Sequence, residues 1–107
     1  MLSHDEINPN SLDSRGASPL HLAAWAGHSE ICKFLLTHPT LPADPNVQAS
    51  ESETPLHFAA QHGHVNALMV LLAHGADPNI MNERGETPLD LGAQYGKKID
   101  LILLIYK

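Results

Sequence analysis

Apolar residues recur along this chain as a stripe that returns three times. Cys32, Leu35 and Leu36, then Leu68, Leu71 and Leu72, then Leu101, Leu104 and Ile105 keep spacings of three and four. That spacing places each set on one face of a helix. Each stripe sits in a longer phrase: "ICKFLLTH" from Ile31, "ALMVLLAH" from Ala67, "DLILLIYK" from Asp100. A second phrase precedes each of them. "SPLHLAAWAGH", "TPLHFAAQHGH" and "TPLDLGAQYGK" begin at Ser18, Thr54 and Thr87, 36 and then 33 residues apart. The three extra residues of the first interval fall in "THPTLPADPN", where the second unit has "AHGADPN". A period of this length marks stacked supersecondary units, none of which buries its apolar face alone.

Each unit reads as helix, turn, helix and extended loop. Ser18, Thr54 and Thr87 stand one residue before a proline and three before His21, His57 and Asp90. That is a capping hydroxyl, a proline at the first helical position and a polar third residue. The first helix is short and carries Ala23–Ala24, Ala59–Ala60 or Gly92–Ala93, small enough for close approach of a neighbour. Gly27, Gly63 and Gly96 are placed to end it, and Gly75 to end the middle second helix. "DSRGA" (Asp13–Ala17) and "NERGE" (Asn82–Glu86) carry a glycine suited to a hairpin tip. The expected units are 13–48, 49–81 and 82–107, with 1–12 the tail of a preceding unit or an N-terminal cap.

These residues resemble the ankyrin repeat, with its Thr-Pro-Leu-His tetrapeptide, Ala-Ala, Gly-His, Leu-Leu and Gly-Ala-Asp, and the likeness covers nearly the whole chain. The middle unit is the closest match; the first lacks the glycine of Gly-Ala-Asp, and the third has Asp90 for histidine. The resemblance implies an all-α solenoid of stacked helix–turn–helix units with projecting β-hairpin loops. It also implies a protein-binding surface without catalytic residues, on a monomer inside the cell, cytoplasmic or nuclear. The order of the three phrases further resembles the ankyrin blocks of adaptors of the Odin and Caskin groups, which implies an adaptor or scaffold setting. Asn79, two residues after Asp77 and eight after Leu71, resembles asparagines that an oxygen-dependent hydroxylase modifies in this family, although Pro78 departs from the preferred aliphatic neighbour.

Composition narrows the partners. A formal charge of −6 disfavours nucleic acid and anionic membranes, which attract basic patches. The longest apolar run, "IDLILLIY" from Ile99, is interrupted by Asp100 and falls short of the ~20 residues of a spanning helix. The acidic start "MLSHDEINPN" has no basic and no apolar signal region. One cysteine, Cys32, excludes an internal disulfide and suits a reducing compartment. "INPNSLDSRGASPLH" aligns with "ADPNIMNERGETPLD", and Ile99, Ile102 and Tyr106 stand where the first unit has Glu30, Lys33 and Thr37. Two readings stay open: a chain cut from a longer array, or an apolar stripe through which the chain associates.

Eight histidines invite a metal or catalytic reading. His21, His57, His28 and His64 recur at the repeat period, which assigns them to architecture. His62 and His64 could nominally share a metal, but Gly63 separates them at a helix end and neither a cysteine cluster nor an HExxH spacing accompanies them. No cofactor is expected. Cys32 aligns with Leu68 and Leu101 as a small buried apolar residue, and no base or phosphate-cradling glycine loop is present. No enzyme is expected.

The variable positions remain, facing outward from the loops and first helices. They are Ser14, Arg15, Ala17 and Trp25; then Ser50, Glu51, Glu53, Gln61 and His62; then Glu83, Arg84, Glu86, Gln94 and Tyr95. Aromatic residues and arginines dominate binding hot spots, which favours Trp25, Tyr95, Arg15 and Arg84. Trp25 has two readings, a solvent-facing anchor or a ring lying back on the next unit. Four carboxylates (Glu51, Glu53, Glu83, Glu86) beside two arginines point to a mostly basic partner segment.

Overall fold

The computed structural model describes residues 10–96, and within them five α-helices follow one another. They are α1 (Pro19–Ala26), α2 (Ser29–Leu36), α3 (Pro55–His62), α4 (Val65–Ala73) and α5 (Pro88–Gln94). The second helix expected for the third unit, with its Leu101, Leu104, Ile105 stripe and Ile99, Ile102 and Tyr106, lies outside the described residues. So does most of the segment expected to be a tail or cap.

Local chemistry starts α1, α3 and α5 where the pattern places them. The His21 N–H donates to Ser18 Oγ at 3.2 Å, and the Ser18 N–H donates to His21 Nδ1 at 3.1 Å. Thr54 and His57 repeat this reciprocal cap at 3.3 and 3.0 Å. Thr87 and Asp90 close the same box through a carboxylate oxygen, at 3.2 and 3.0 Å. Two otherwise orphaned N–H groups are satisfied at each start. Gly27 and Gly63 cap the ends of α1 and α3 with φ of 77° and 69°. The third unit differs slightly: α5 ends on Tyr95 at φ −95°, and the left-handed Gly96 follows one residue later.

The helices form two layers. α3 packs between α1 and α5 in the inner layer, and α2 packs on α4 in the outer one. The core runs between the layers: Leu20, Ala24, Cys32, Leu56, Ala59, Ala60, Ala67, Leu68 and Leu71 are completely buried. Ala24, Ala59 and Ala60 are the small residues that permit close inner-layer packing.

The loop tips differ from the expected β-hairpins. Among the described residues no strand forms. Each tip is closed by the same two backbone bonds: the N–H of Asp13, Ala49 or Asn82 donates to the carbonyl of Ala17, Glu53 or Glu86, and the N–H of Gly16, Ser52 or Gly85 donates back to the carbonyl of Asp13, Ala49 or Asn82. In the first and third tips the side chain of Asp13 or Asn82 also accepts two N–H groups, from residues two and four ahead. These Asx turns tighten the first and third tips, while the middle tip closes with the backbone bonds and no Asx turn. Gly16 and Gly85 take the left-handed position there, at φ 75° and 74°.

Four kinds of polar link fasten one unit to the next. Arg15 and Glu51 carbonyls accept the N–H groups of Ser50 and Glu83 in the following tips. His21 Nε2 reaches the Glu53 carbonyl and His57 Nε2 the Glu86 carbonyl, both at 2.8 Å. Since Nδ1 accepts a backbone N–H, Nε2 carries the proton and donates. Asn10 donates to the Pro42 carbonyl and accepts the Asp44 N–H; Asn46 does the same with Gly75 and Asp77. Finally, His64 Nε2 lies 3.0 Å from the Trp25 carbonyl.

Candidate functional site

The tips project beside the inner helices, and a cavity of about 340 Å³ opens between the first two units. Arg15 and Ala17 of the first tip, Leu22 and Trp25 of α1, and Phe58 and Gln61 of α3 line it. Ala49, Ser50, Glu51 and Glu53 of the second tip complete the wall. Five of the sequence-selected positions (Arg15, Trp25, Glu51, Glu53, Gln61) therefore meet at one place, together with the variable Ala17 and Ser50.

Trp25 faces solvent and also lies against the next unit. It is 55% exposed, and its ring meets His62 of the next unit edge-on with centroids 5.7 Å apart. His62 in turn stacks on His64 at 5.9 Å. The His64 ring also lies against Gly27: a Cβ there would sit 2.6 Å from His64 Nδ1. Gly27 thus does more than end α1, because it leaves room for the ring that joins two units. His28, the equivalent of His64 in the first unit, is exposed.

Leu22 and Phe58, which the sequence did not single out, belong to the cavity as well. Both stand four residues after the cap, where the third unit has Leu91. Leu91 is buried, Phe58 is half-buried against the core, and Leu22 is 46% exposed. The three equivalent positions thus differ in burial, and Leu22 and Phe58 are the two that reach the cavity.

The third tip contributes through Arg84. Its guanidinium reaches three carboxylates: Glu86 at 2.9 Å, Glu51 at 3.3 Å and Glu53 at 3.5 Å. Glu86, and then Glu51, raise the Arg84 pKa above its ordinary value, and Asn82 together with Arg84 lowers that of Glu86. Arg84 is a clamp between two tips. Glu53 does not face outward as the repeat pattern suggests; its side chain is only 12% exposed beneath Arg84 and Asn82, whereas that of Glu51 is 58% exposed.

The middle tip lacks both devices of its neighbours. Ala49 replaces the Asx residue and Ser52 replaces the glycine, and Glu51 and Ser52 adopt φ of 64° and 62°. This conformation is costly for residues with a Cβ. It is held by the Gln48 side chain on the Ser52 carbonyl, the Glu83 N–H on the Glu51 carbonyl, and Arg84 on the Glu51 carboxylate.

The remaining selected residues stand apart from the cavity. Ser14 is exposed on the first tip and Glu83 on the third, while Gln94 and the half-exposed Tyr95 lie at the end of α5. Asn79 is exposed, with its N–H bonded to the Asp77 carboxylate at 2.9 Å.

Burial governs the titration of three groups in the core. Burial holds the His21 and His57 imidazoles below their ordinary value, against the opposing effect of their carbonyl partners. Burial pushes the Cys32 thiol up to about 11, so at neutral pH it carries no thiolate to act as a nucleophile. Among the described residues no group of three or more His, Cys, Asp or Glu side chains is arranged so that it could hold a metal ion, and no helix is long and apolar enough to cross a membrane.

Comparison with known proteins gives one family. The family described as "Ankyrin repeats (many copies)" matches residues 1–51 and 39–91. No curated protein matches the chain.

Proposed function

The chain belongs to the ankyrin-repeat family, and from that premise we propose that it is a non-catalytic binding module which presents its concave side, the tips and inner helices, to a protein or peptide partner. Members of the family are in general protein–protein interaction modules. One observation carries the reading for this chain: the cavity between the first two units gathers an exposed tryptophan, an arginine and two glutamates on capped, cross-linked helices. Groups fixed in this way lose little conformational entropy on binding. The proposed contact set is Ser14, Arg15, Trp25, Glu51, Glu53, Gln61, His62, Glu83, Arg84, Glu86, Gln94 and Tyr95, with Arg84 shaping the second tip. A setting inside the cell, in an adaptor or scaffold, is part of the same proposal.

Capture of partners by the purified domain tests it. Trp25→Ala is expected to reduce recovery at least about fivefold and Tyr95→Ala less, as befits a central and a peripheral anchor. Recovery unchanged in both variants would place the partner elsewhere. Asn79 is proposed separately as a hydroxylation position on the strength of its exposed place after α4. A gain of one oxygen in intact mass after incubation with an asparaginyl hydroxylase is expected, and no gain removes the idea.

A further inference from the structure

The cavity's walls and rim differ in character, and this difference identifies what enters it. Leu22, Trp25 and Phe58 make the walls apolar, while Glu51 brings a largely exposed carboxylate to the rim. We propose that the cavity is the receptor for one lysine or arginine side chain of a basic peptide segment, its alkyl stem against Leu22, Trp25 and Phe58 and its cationic head at Glu51. The proposal rests on the binding-module reading and adds to it the chemistry of the partner.

Three observations favour a cation. First, among the described residues Arg84 is the cation within ion-pair reach of Glu51, Glu53 and Glu86, so there one positive charge meets three negative ones. With the exposed Glu83, the second and third tips keep an excess of negative charge that Arg15 offsets only in part. Second, the wall chemistry suits long basic side chains, which bury their methylene stems along apolar surface and keep the head in a polar rim. The half-exposed Trp25 ring adds cation–π attraction for a head within about 6 Å of its face. Third, 340 Å³ is near the lower end of the ~300–1,000 Å³ typical of ligand clefts, which fits one long side chain and its immediate neighbours but not a folded element. The chain's formal charge of −6 then steers such a segment toward the face.

Glu51 is set at the rim by the strained second tip. Its left-handed backbone, the Glu83 N–H on its carbonyl and the Arg84 clamp fix where its carboxylate stands. Arg15, on the same cavity, opposes a cation by like charge. The two residues therefore give effects of opposite sign, a pattern that general damage to the fold does not produce.

Trp25 is the single tryptophan of the chain, so its fluorescence reports directly on the cavity. The probe is an acetylated, amidated peptide Ser-Gly-Lys-Ala-Lys-Gly-Ser, compared with versions in which both lysines become arginine, norleucine or glutamate. The lysine or arginine peptide is expected to shift Trp25 emission saturably and to bind at least about tenfold tighter than the norleucine peptide. Binding should weaken on raising salt from about 0.05 to 0.5 M, where screening shortens to a few ångströms. Glu51→Asn removes the charge and suits a left-handed backbone; it should weaken the lysine peptide about fivefold or more, while Arg15→Gln should tighten it about twofold. Equal binding of the norleucine peptide, or preference for the glutamate peptide, overturns the proposal and leaves the concave binding surface standing. Absence of any emission change with all four peptides also overturns it, and partner capture that still depends on Trp25 would then show that the binding-module reading survives. Partner capture indifferent to Trp25 and Tyr95 is the separate result that removes that reading.

Discussion

His21 and His57 illustrate how one side chain serves two levels of structure. One ring nitrogen completes the helix cap inside the unit, and the other reaches a carbonyl in the next tip at 2.8 Å. Both roles require the neutral ring, because a protonated Nδ1 would face the N–H of Ser18 or Thr54. Burial accordingly lowers both pKa values below 6.5 in the folded chain. The unfolded chain then binds more protons as the pH falls, so the sign is fixed. Stability is fully present above about pH 6.5, the unfolded value, and declines as the pH drops from there toward the lower folded values. Chemical denaturation at a series of pH values is expected to show this decline between about pH 7 and 5, and a flatter profile in the His21→Gln, His57→Gln double variant. An identical slope in the double variant would remove the two rings from the explanation. Asp90 keeps the cap in the third unit, yet a carboxylate only accepts and has no N–H to donate to a carbonyl as the histidines do.

At the scale of the helix and its ends, equivalent glycines carry unequal weight. Gly85 needs only its left-handed backbone, since nothing lies within 4 Å of an added Cβ. Gly27 needs the backbone and also the space, because His64 Nδ1 is 2.6 Å from where a Cβ would stand. Gly85→Ala is therefore expected to cost about 1 kcal/mol, and Gly27→Ala about 2–3 kcal/mol, since the His64 ring must give up its bond to the Trp25 carbonyl. Urea midpoints at constant slope would check the ranking, and equal losses would contradict it. The sequence announces both glycines as turn or cap residues, but only the neighbouring unit makes one of them indispensable. The second tip shows the reverse case. Its Ala49 and Ser52 break the local pattern of the flanking tips, and the strain is borne by Gln48, Glu83 and Arg84 from outside the turn.

For the whole molecule, stability depends on how each unit grips the next. The units join through the inner-layer contacts of α3 with α1 and α5, the outer packing of α2 on α4, and the polar links. Asn46 supplies two of these, donating to the Gly75 carbonyl at 3.1 Å and accepting from the Asp77 N–H at 2.7 Å. Asn46→Ala is expected to lower stability by about 1–2 kcal/mol, one modest hydrogen bond each. In a stacked array each unit contacts only its neighbours, so the loss should broaden the unfolding transition as well as shift it. A melting curve with the same midpoint and width would show that packing alone couples the units.

Local chemistry written in the sequence determined the period, the helix starts and the face each helix buries. Thr-Pro-x-His caps act over three residues, and a stripe at spacings of three and four is a property of one helix. The sequence also singled out Trp25, Arg15, Glu51 and Gln61 as positions left over once architecture was accounted for. Only the tertiary structure decided which of them meet. Leu22 and Phe58 joined them as walls of the same cavity, and Glu53 turned inward, where it pairs with Arg84. The expected β-hairpins became compact turns, each closed by two backbone bonds, to which Asp13 and Asn82 add side-chain bonds in the first and third tips. Caps and stripes arise within one unit and repeat with it; a cavity arises between units, where residues some 35 positions apart meet, and no local rule fixes its lining.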